Sequence, residues 1–176
     1  MEDHHHTVPP LVRPAIADDV GHIHALIAEL AEFEQLSEAM QAGVEDLAAA
    51  LFAPQPRVFC DMVEGQGGRV MGCSVWFYTY STFRGRHGIW IEDLFVRPAF
   101  RRLGAGRALL AEAARRCVAE NMGRLEWSVL DWNKDAIAFY KAEGATMMEE
   151  WTTCRVESAA LWRLADKARP RHADRG

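Results

Sequence analysis

The chain has 176 residues, with 20 Lys and Arg against 25 Asp and Glu, and therefore a formal charge of −5. A hydrophobic share of 49% beside 26% charged residues describes one globular domain with a real core and excludes an intrinsically disordered chain. The acidic balance argues against nucleic acid as a partner and suits a small cationic one. No apolar run approaches the ~20 residues of a membrane span, so no membrane partner is expected.

Residues 1–10 form a polar leader with His4, His5 and His6 and no apolar signal core, expected to be disordered. Three adjacent histidines suit a metal, but no metal is assigned. Leu11 to Ala15 reads as a short strand ending at Asp18, a candidate helix cap. Apolar residues then recur at Val20, Ile23, Leu26, Ile27, Leu30 and Phe33, the stripe of an amphipathic helix. After a polar break over 35–43, Val44 to Phe52 reads as an alanine-rich helix stopped by Pro54 and Pro56. Val58 to Glu64 and Arg69 to Tyr80 are strand-like and are parted by Gly65-Gln-Gly-Gly68, a hairpin signal. A turn-rich basic segment, Ser81 to Gly88, leads into a strand from Ile89 to Val96.

The next helix, Gly104 to Asn121, has Leu109, Leu110, Ala113, Ala114, Cys117 and Val118 as its inward set. Leu125 to Leu130 reads as a strand, Lys134 to Glu143 as a helix closed by Gly144, and Ala145 to Glu157 as a final pair of strands. The fold class expected is α/β (α+β): a mixed sheet with helices on both faces, in one domain over 11–168, followed by a polar tail over 169–176. The four cysteines (60, 73, 117 and 154) show no metal spacing and read as buried thiols of a reducing, cytoplasmic protein.

Three features carry chemistry. Arg101-Arg-Leu-Gly-Ala-Gly106 follows a strand and opens a helix. Two glycines let an anion approach the main chain, while Arg101, Arg102 and Arg107 add positive charge at the helix N-terminus. A tight strand-to-helix turn alone would also explain the glycines. A third glycine at 109 and a Gly-Lys-Ser/Thr signature are both missing, so neither a dinucleotide fingerprint nor a P-loop is present. Glu92 and Asp93 stand side by side in an apolar strand, where burial is costly unless the acids are paired or useful. Strand alternation sets Glu92 with Trp90, Leu94 and Val96, and Asp93 with Ile91 and Phe95. Partial burial of Glu92 would raise its pKa and suit it to take a proton from an ammonium group. Tyr140 lies on a helix that Asn133 is placed to cap, and a phenol is a suitable proton donor to a leaving thiolate. Pro98 ends the preceding strand's hydrogen bonding, which would leave amides of Leu94, Phe95 and Val96 for an extended, amide-bearing ligand arm.

Together these residues resemble the GCN5-related N-acetyltransferase superfamily, whose Arg/Gln-x-x-Gly-x-Gly/Ala motif matches Arg101 to Gly106. Leu30-Ala-Glu-Phe-Glu-Gln-Leu-Ser37, Tyr80-Ser-Thr-Phe-Arg-Gly-Arg86, Ile91-Glu-Asp93, Val129-Leu-Asp-Trp-Asn133 and Tyr140-Lys-Ala-Glu-Gly-Ala145 extend the resemblance to the spermidine/spermine acetyltransferase group. Within it they are most similar to the thialysine N-epsilon-acetyltransferase branch.

The resemblance implies a sheet splayed near Leu94 to Val96 and acetyl-CoA as co-substrate. Leu94, Phe95 and Val96 would hold the pantetheine arm. Arg101, Arg102, Leu103, Gly104, Ala105, Gly106 and Arg107 would hold the pyrophosphate, with Asn133, Lys134, Asp135 and Ala136 on further parts. It implies Tyr140 as general acid and Glu92 as probable base. Phe33, Glu34, Asp93, Glu126, Trp127, Ser128, Asp131, Trp132 and Glu150 are the acceptor contacts expected beside Glu92. A homodimer is implied as well. One departure bears on the acceptor: where polyamine enzymes carry an acid after Thr79-Tyr80, this chain has Ser81, then Arg84, Arg86 and His87. That basic loop would repel a polycation and would suit the carboxylate of an amino-acid acceptor. A protein lysine or N-terminal acetyltransferase and a non-catalytic acyl-CoA-binding module remain open alternatives.

Overall fold

A computed structural model describes residues 9–168. The leader histidines and the tail over 169–176 lie outside the described residues. The chain divides into two compact units, Met1–Ser128 and Val129–Gly176.

The first unit is built on a five-stranded sheet ordered β1-β2-β3-β4-β5. Its strands are β1 (Leu11–Pro14), β2 (Phe59–Glu64), β3 (Val70–Ser81), β4 (Arg86–Val96) and β5 (Leu125–Trp127). The first four pair antiparallel as successive neighbours, and β5 joins β4 in parallel after a helical crossover. Helices α1 (Val20–Phe33) and α2 (Val44–Leu51) cover one face. Their Ile23, Leu26 and Leu51 pack with Cys60, Met62, Cys73, Val75 and Phe95 of the sheet. Helix α3 (Ala105–Ala119) covers the other face, where Ala105 and Leu109 meet Val63 and Met71. Each of these side chains is nearly or wholly buried, a gain of roughly 1.5–3 kcal/mol for a large aliphatic one.

Polar ties fix the helices to the sheet. Arg116 of α3 forks onto buried Asp61 at 2.8 and 3.2 Å, and Trp76 Nε1 donates to the same carboxylate at 2.9 Å. Arg97, just past β4, pairs with Glu29 of α1 at 2.8 Å. Arg13 holds Asp19, whose carboxylate also accepts the Ile16 N–H at 2.8 Å and is held below its ordinary pKa chiefly by that arginine. The acid at the start of α1 is thus Asp19 rather than Asp18, because a 3-10 turn over Ala17–Asp19 intervenes.

Gly72 is required by packing. A Cβ there would run into the Phe95 carbonyl oxygen across the β3–β4 ladder.

Several expectations are corrected. Arg86 to Gly88 belong to β4 rather than to the loop, because they pair with Thr79 to Ser81. Strand β5 stops at Trp127. On α3, Leu109, Leu110, Ala113 and Cys117 are buried, but Ala114 and Val118 face solvent, Val118 at 82% exposure. Those two lie about 100° around the helix from the 109–113–117 stripe, on a flank that is covered at Leu110 and open at the later turns. Cys154 is exposed, while the other three thiols are buried.

In the second unit, Asn133 caps α4 (Lys134–Ala142) by accepting the Ala136 N–H at 3.2 Å, as its position predicts. Ala145 to Glu157 forms no strands. It runs irregularly into an unanticipated helix, α5 (Ser158–Ala165), because strand-like alternation makes a strand only where a neighbour completes the hydrogen bonding.

Candidate active site

Strand β4 changes character along its length. Ile89, Trp90 and Ile91 pair with Leu125, Glu126 and Trp127, which secures β5 to that edge. Pairing with β5 ends at Ile91, while the other edge stays laddered to β3 as far as Val96. Leu94, Phe95 and Val96 therefore lie on the stretch of β4 beyond its parallel partner, as the family resemblance anticipates.

Opposite this point the β3–β4 register slips. Val75 faces Asp93 and Trp76 faces Ile91, so Glu92 is an extra residue without a counterpart. Such a bulge bends the strand and re-aims the side chains at the slip. Glu92 is exposed and accepts a hydrogen bond from Trp90 Nε1 at 3.0 Å. Asp93 is largely withdrawn from water, and its pKa is pushed up to about 6, first by desolvation and then by the charges of Glu92 and Glu34. Burial also raises the Glu34 carboxyl. The partial burial expected of Glu92 thus falls on Asp93, which falls in step with buried Ile91 and Phe95 along β4, while Glu92 lies open. The same electrostatics identify Glu34, at the end of α1, as a charge acting on Asp93. Three carboxylates gathered where β4 runs on past the end of β5 favour a cation.

Phe33 lies under the Arg101 guanidinium, 4.6 Å from ring centre to Cζ, and Phe95 is 6.0 Å away on the same cation. Arg101 Nε donates to the Val96 carbonyl at 3.2 Å. These contacts tie the first arginine of the glycine motif to the end of β4 and the end of α1.

After Arg101 the backbone turns twice through the left-handed region, at Arg102 (φ 64°) and Gly104 (φ 87°), and α3 begins at Ala105. Gly104 suits that φ, and no atom lies within 4 Å of where its Cβ would stand. No side chain caps α3 and its first turn carries no acid, so the leading amides and the helix dipole are left for an anion. The residues present therefore fit the pyrophosphate of acetyl-CoA: open backbone donors, glycine where a side chain would intrude, and Arg102 and Arg107 alongside. Among the described residues no group of three or more His, Cys, Asp or Glu side chains converges as a metal site would. No described helix is long and apolar enough to cross a membrane.

The other sequence-predicted residues divide between the units. In the first, Glu126 pairs with Arg124 at 2.6 Å, Trp127 is half-buried and Ser128 is exposed. The second holds Asp131, Trp132, the Asn133–Ala136 turn, Tyr140 and Glu150. Tyr140 is buried at 8% exposure with its ring 5.3 Å from Phe139, while Asp131, Trp132 and Glu150 are exposed.

The basic loop is occupied at the far end of β4. Arg84 donates to the Gly123 carbonyl at 3.0 Å, Arg86 to Asn121 Oδ1 at 3.3 Å, and His87 Nδ1 lies 3.1 Å from the Thr79 carbonyl. Six residues of strand, roughly 20 Å, part Arg86 from Glu92. Sequence reasoning passed over Trp90, Arg97 and the bulge itself. An indole two residues before an acid is a faint signal for the first, and slippage of register leaves none in the composition of a strand.

Comparisons with known proteins identify the family. The acetyltransferase (GNAT) family model matches residues 22–145. A thialysine N-epsilon-acetyltransferase from Bos taurus is 36% identical over 89% of this chain and 98% of its own length. The Caenorhabditis elegans enzyme of that name is 35% identical over 85% and 93%. An L-ornithine N5-acetyltransferase from Arabidopsis thaliana is 31% identical over 85% of each. Among solved structures, an integron cassette protein from the mobile metagenome of V. cholerae superimposes with a TM-score of 0.72 at 25% identity, covering 90% of this chain and 98% of that one. With a strand that outruns its parallel partner, a glycine turn at a helix N-terminus and these relatives along most of its length, the chain belongs to the acetyltransferase (GNAT) family and is an N-acetyltransferase.

Proposed function

We propose that the chain acetylates the distal primary amine of a small diamino acid or diamine, with both substrates bound at once. The observation that carries this reading is Asp93: a desolvated carboxyl beside Glu34 and Glu92, on the stretch of β4 beyond its pairing with β5. An ammonium group arriving there replaces lost hydration with charge, which stabilises the carboxylate form. The relatives support a diamino acid, because thialysine and ornithine each carry an amine at the far end of an amino acid.

Acetyl-CoA, when bound, supplies the acetyl group as a thioester. The Arg101–Arg107 turn holds its pyrophosphate on backbone amides, Leu94 to Val96 offer main-chain groups to its pantetheine arm, and Asn133 to Ala136 add contacts. Asp93 and Glu34 hold and orient the acceptor's ammonium head. Glu92, exposed and steadied by Trp90, takes the amine's proton through water. Phe33, Trp127 and Trp132 line the methylene chain, with Asp131, Glu126, Ser128 and Glu150 as outer polar contacts. Tyr140 gives its Oη proton to the leaving sulfur. The enzyme works in the cytoplasm as a homodimer.

The basic loop no longer supports amino-acid preference, since Arg84, Arg86 and His87 are bonded at the opposite end of β4. That preference rests on the relatives instead. The test is CoA release from acetyl-CoA against thialysine, ornithine, lysine, spermidine, putrescine and short lysine peptides. Turnover on a free diamino acid or diamine supports the reading. Acetylation of peptides alone would replace it with protein acetylation, and CoA binding without turnover would replace it with a binding module.

A further inference from the structure

Two arginines follow β4 closely, and their side chains are occupied differently. Arg97 closes on Glu29 through Nε and Nη2 at 3.0 and 2.8 Å and gives Nη1 to the Val70 carbonyl at 3.3 Å. Among the described residues, the side chain of Arg101 makes one hydrogen bond, from Nε to the Val96 carbonyl at 3.2 Å. Its guanidinium stands over Phe33, 4.6 Å from the ring centre, with the Phe95 ring at 6.0 Å. A guanidinium over an aromatic face keeps its in-plane N–H groups. Nη1 and Nη2 of Arg101 therefore remain as a planar fork of the shape that a carboxylate fits. The acids are close by. Phe33 directly precedes Glu34, whose charge acts on Asp93, and Phe95 lies two residues, roughly 7 Å of strand, beyond Asp93.

We propose that Arg101 is the specificity residue for the acceptor's carboxylate. Its Nη1 and Nη2 take the α-carboxylate of a diamino acid whose distal ammonium sits at Asp93 and Glu34, with the methylenes running along the Phe33 ring. The inference rests on the acceptor site proposed above and adds which of the two substrate classes that site prefers. The spans agree in scale: at ordinary bond lengths an extended diamino acid with three or four side-chain methylenes carries its two charged ends about 6–8 Å apart. Preference then has two sources. The fork attracts a carboxylate, and the same cation repels the second ammonium of a diamine or polyamine. Recognition that the basic loop cannot give from the far end of β4 falls to the first residue of the glycine motif, whose backbone leads into the cofactor turn while its side chain faces the end of α1.

The experiment compares kcat/KM for acceptors that differ in the carboxylate alone: ornithine against putrescine, and ornithine against its neutral amide. Wild type should favour ornithine over both by roughly 10- to 100-fold, the range for one bidentate charge-assisted pair. Arg101→Met should bring both ratios close to one, chiefly through a higher KM for ornithine. Arg101→Lys, which keeps the charge and loses the fork, should retain part of the preference. Each ratio is taken on one protein at one acetyl-CoA concentration, so a change in CoA affinity or stability cancels. The amide on wild type gives an answer even where a variant fails to fold. Equal use of ornithine and its amide by wild type, or an undiminished preference in Arg101→Met, would overturn the proposal and leave the acetylation of free amines standing. An absence of turnover on every free amine would remove the acceptor site itself, and this role of Arg101 with it.

Discussion

The two ends of β4 belong to one strand and behave as opposites. At its beginning Arg86 and His87 are basic, both edges are paired by Ile89, and the neighbouring loop is bonded to the turn after α3. At its end the strand bulges, β5 no longer accompanies it, and the charges of Glu92 and Glu34 act on a desolvated Asp93. The closed end spends its charges on the fold. The open end keeps Asp93 desolvated beside like charges at a cost in stability, which is the usual mark of a site that meets a cation from outside.

The largest effect should come from the residue proposed as general acid. Tyr140→Phe keeps the ring and removes the proton, so kcat should fall roughly 10²-fold, within the ordinary range of general acid catalysis. CoA affinity, followed by calorimetry, should hold. An unchanged kcat would remove Tyr140 from the mechanism. Next is Gly104→Val, which sets a β-branched residue at φ 87°. CoA binding should weaken about tenfold or more, with a loss of roughly 1–2 kcal/mol of stability from the left-handed backbone.

Asp93→Asn separates function from stability. Burial raises the pKa of Asp93 from 3.8 to about 6, so the folded chain binds a proton that the unfolded chain releases in that interval. This group's destabilising effect is absent below pH 3.8, grows as pH rises to about 6 and is constant above. The variant should therefore be up to about 2 kcal/mol more stable than wild type at pH 7.5. The two should converge below pH 4, as thermal melts at both pH values will show. A melting temperature lowered at pH 7.5 would mean that Asp93 is structurally paired instead. The smallest effect belongs to the closed end. Arg84→Ala with Arg86→Ala should change kcat/KM for any amine less than about twofold and cost on the order of 1 kcal/mol in lost hydrogen bonds. A large, acceptor-dependent change in KM would place that loop beside the substrate after all.

Much of the frame was legible because local patterns and tertiary packing agree. The stripe from Val20 to Phe33, the Gly65–Gly68 turn, the Arg101–Gly106 motif and the Asn133 cap each name their own structure. The misses have one cause. Alternation sets Asp93 with Ile91 and Phe95 correctly, but which of the two sets along the strand is covered depends on packing that the alternation does not contain. Ala145 to Glu157 alternates like a strand but has no neighbour in the described chain, and periodicity is silent about neighbours. Arg84 and Arg86 were legible as charges, but their partners, Gly123 and Asn121, lie some 35 to 40 residues away.

The most direct test of the open end is the pH dependence of kcat/KM for the best amine, wild type beside Asp93→Asn. The account expects the wild-type value to rise with pH through an apparent pKa near 6, where Asp93 ionises in the free enzyme. In the variant that limb should vanish, together with at least about tenfold of kcat/KM at pH 8. An identical limb in both proteins would assign the titration elsewhere and contradict the role given to Asp93.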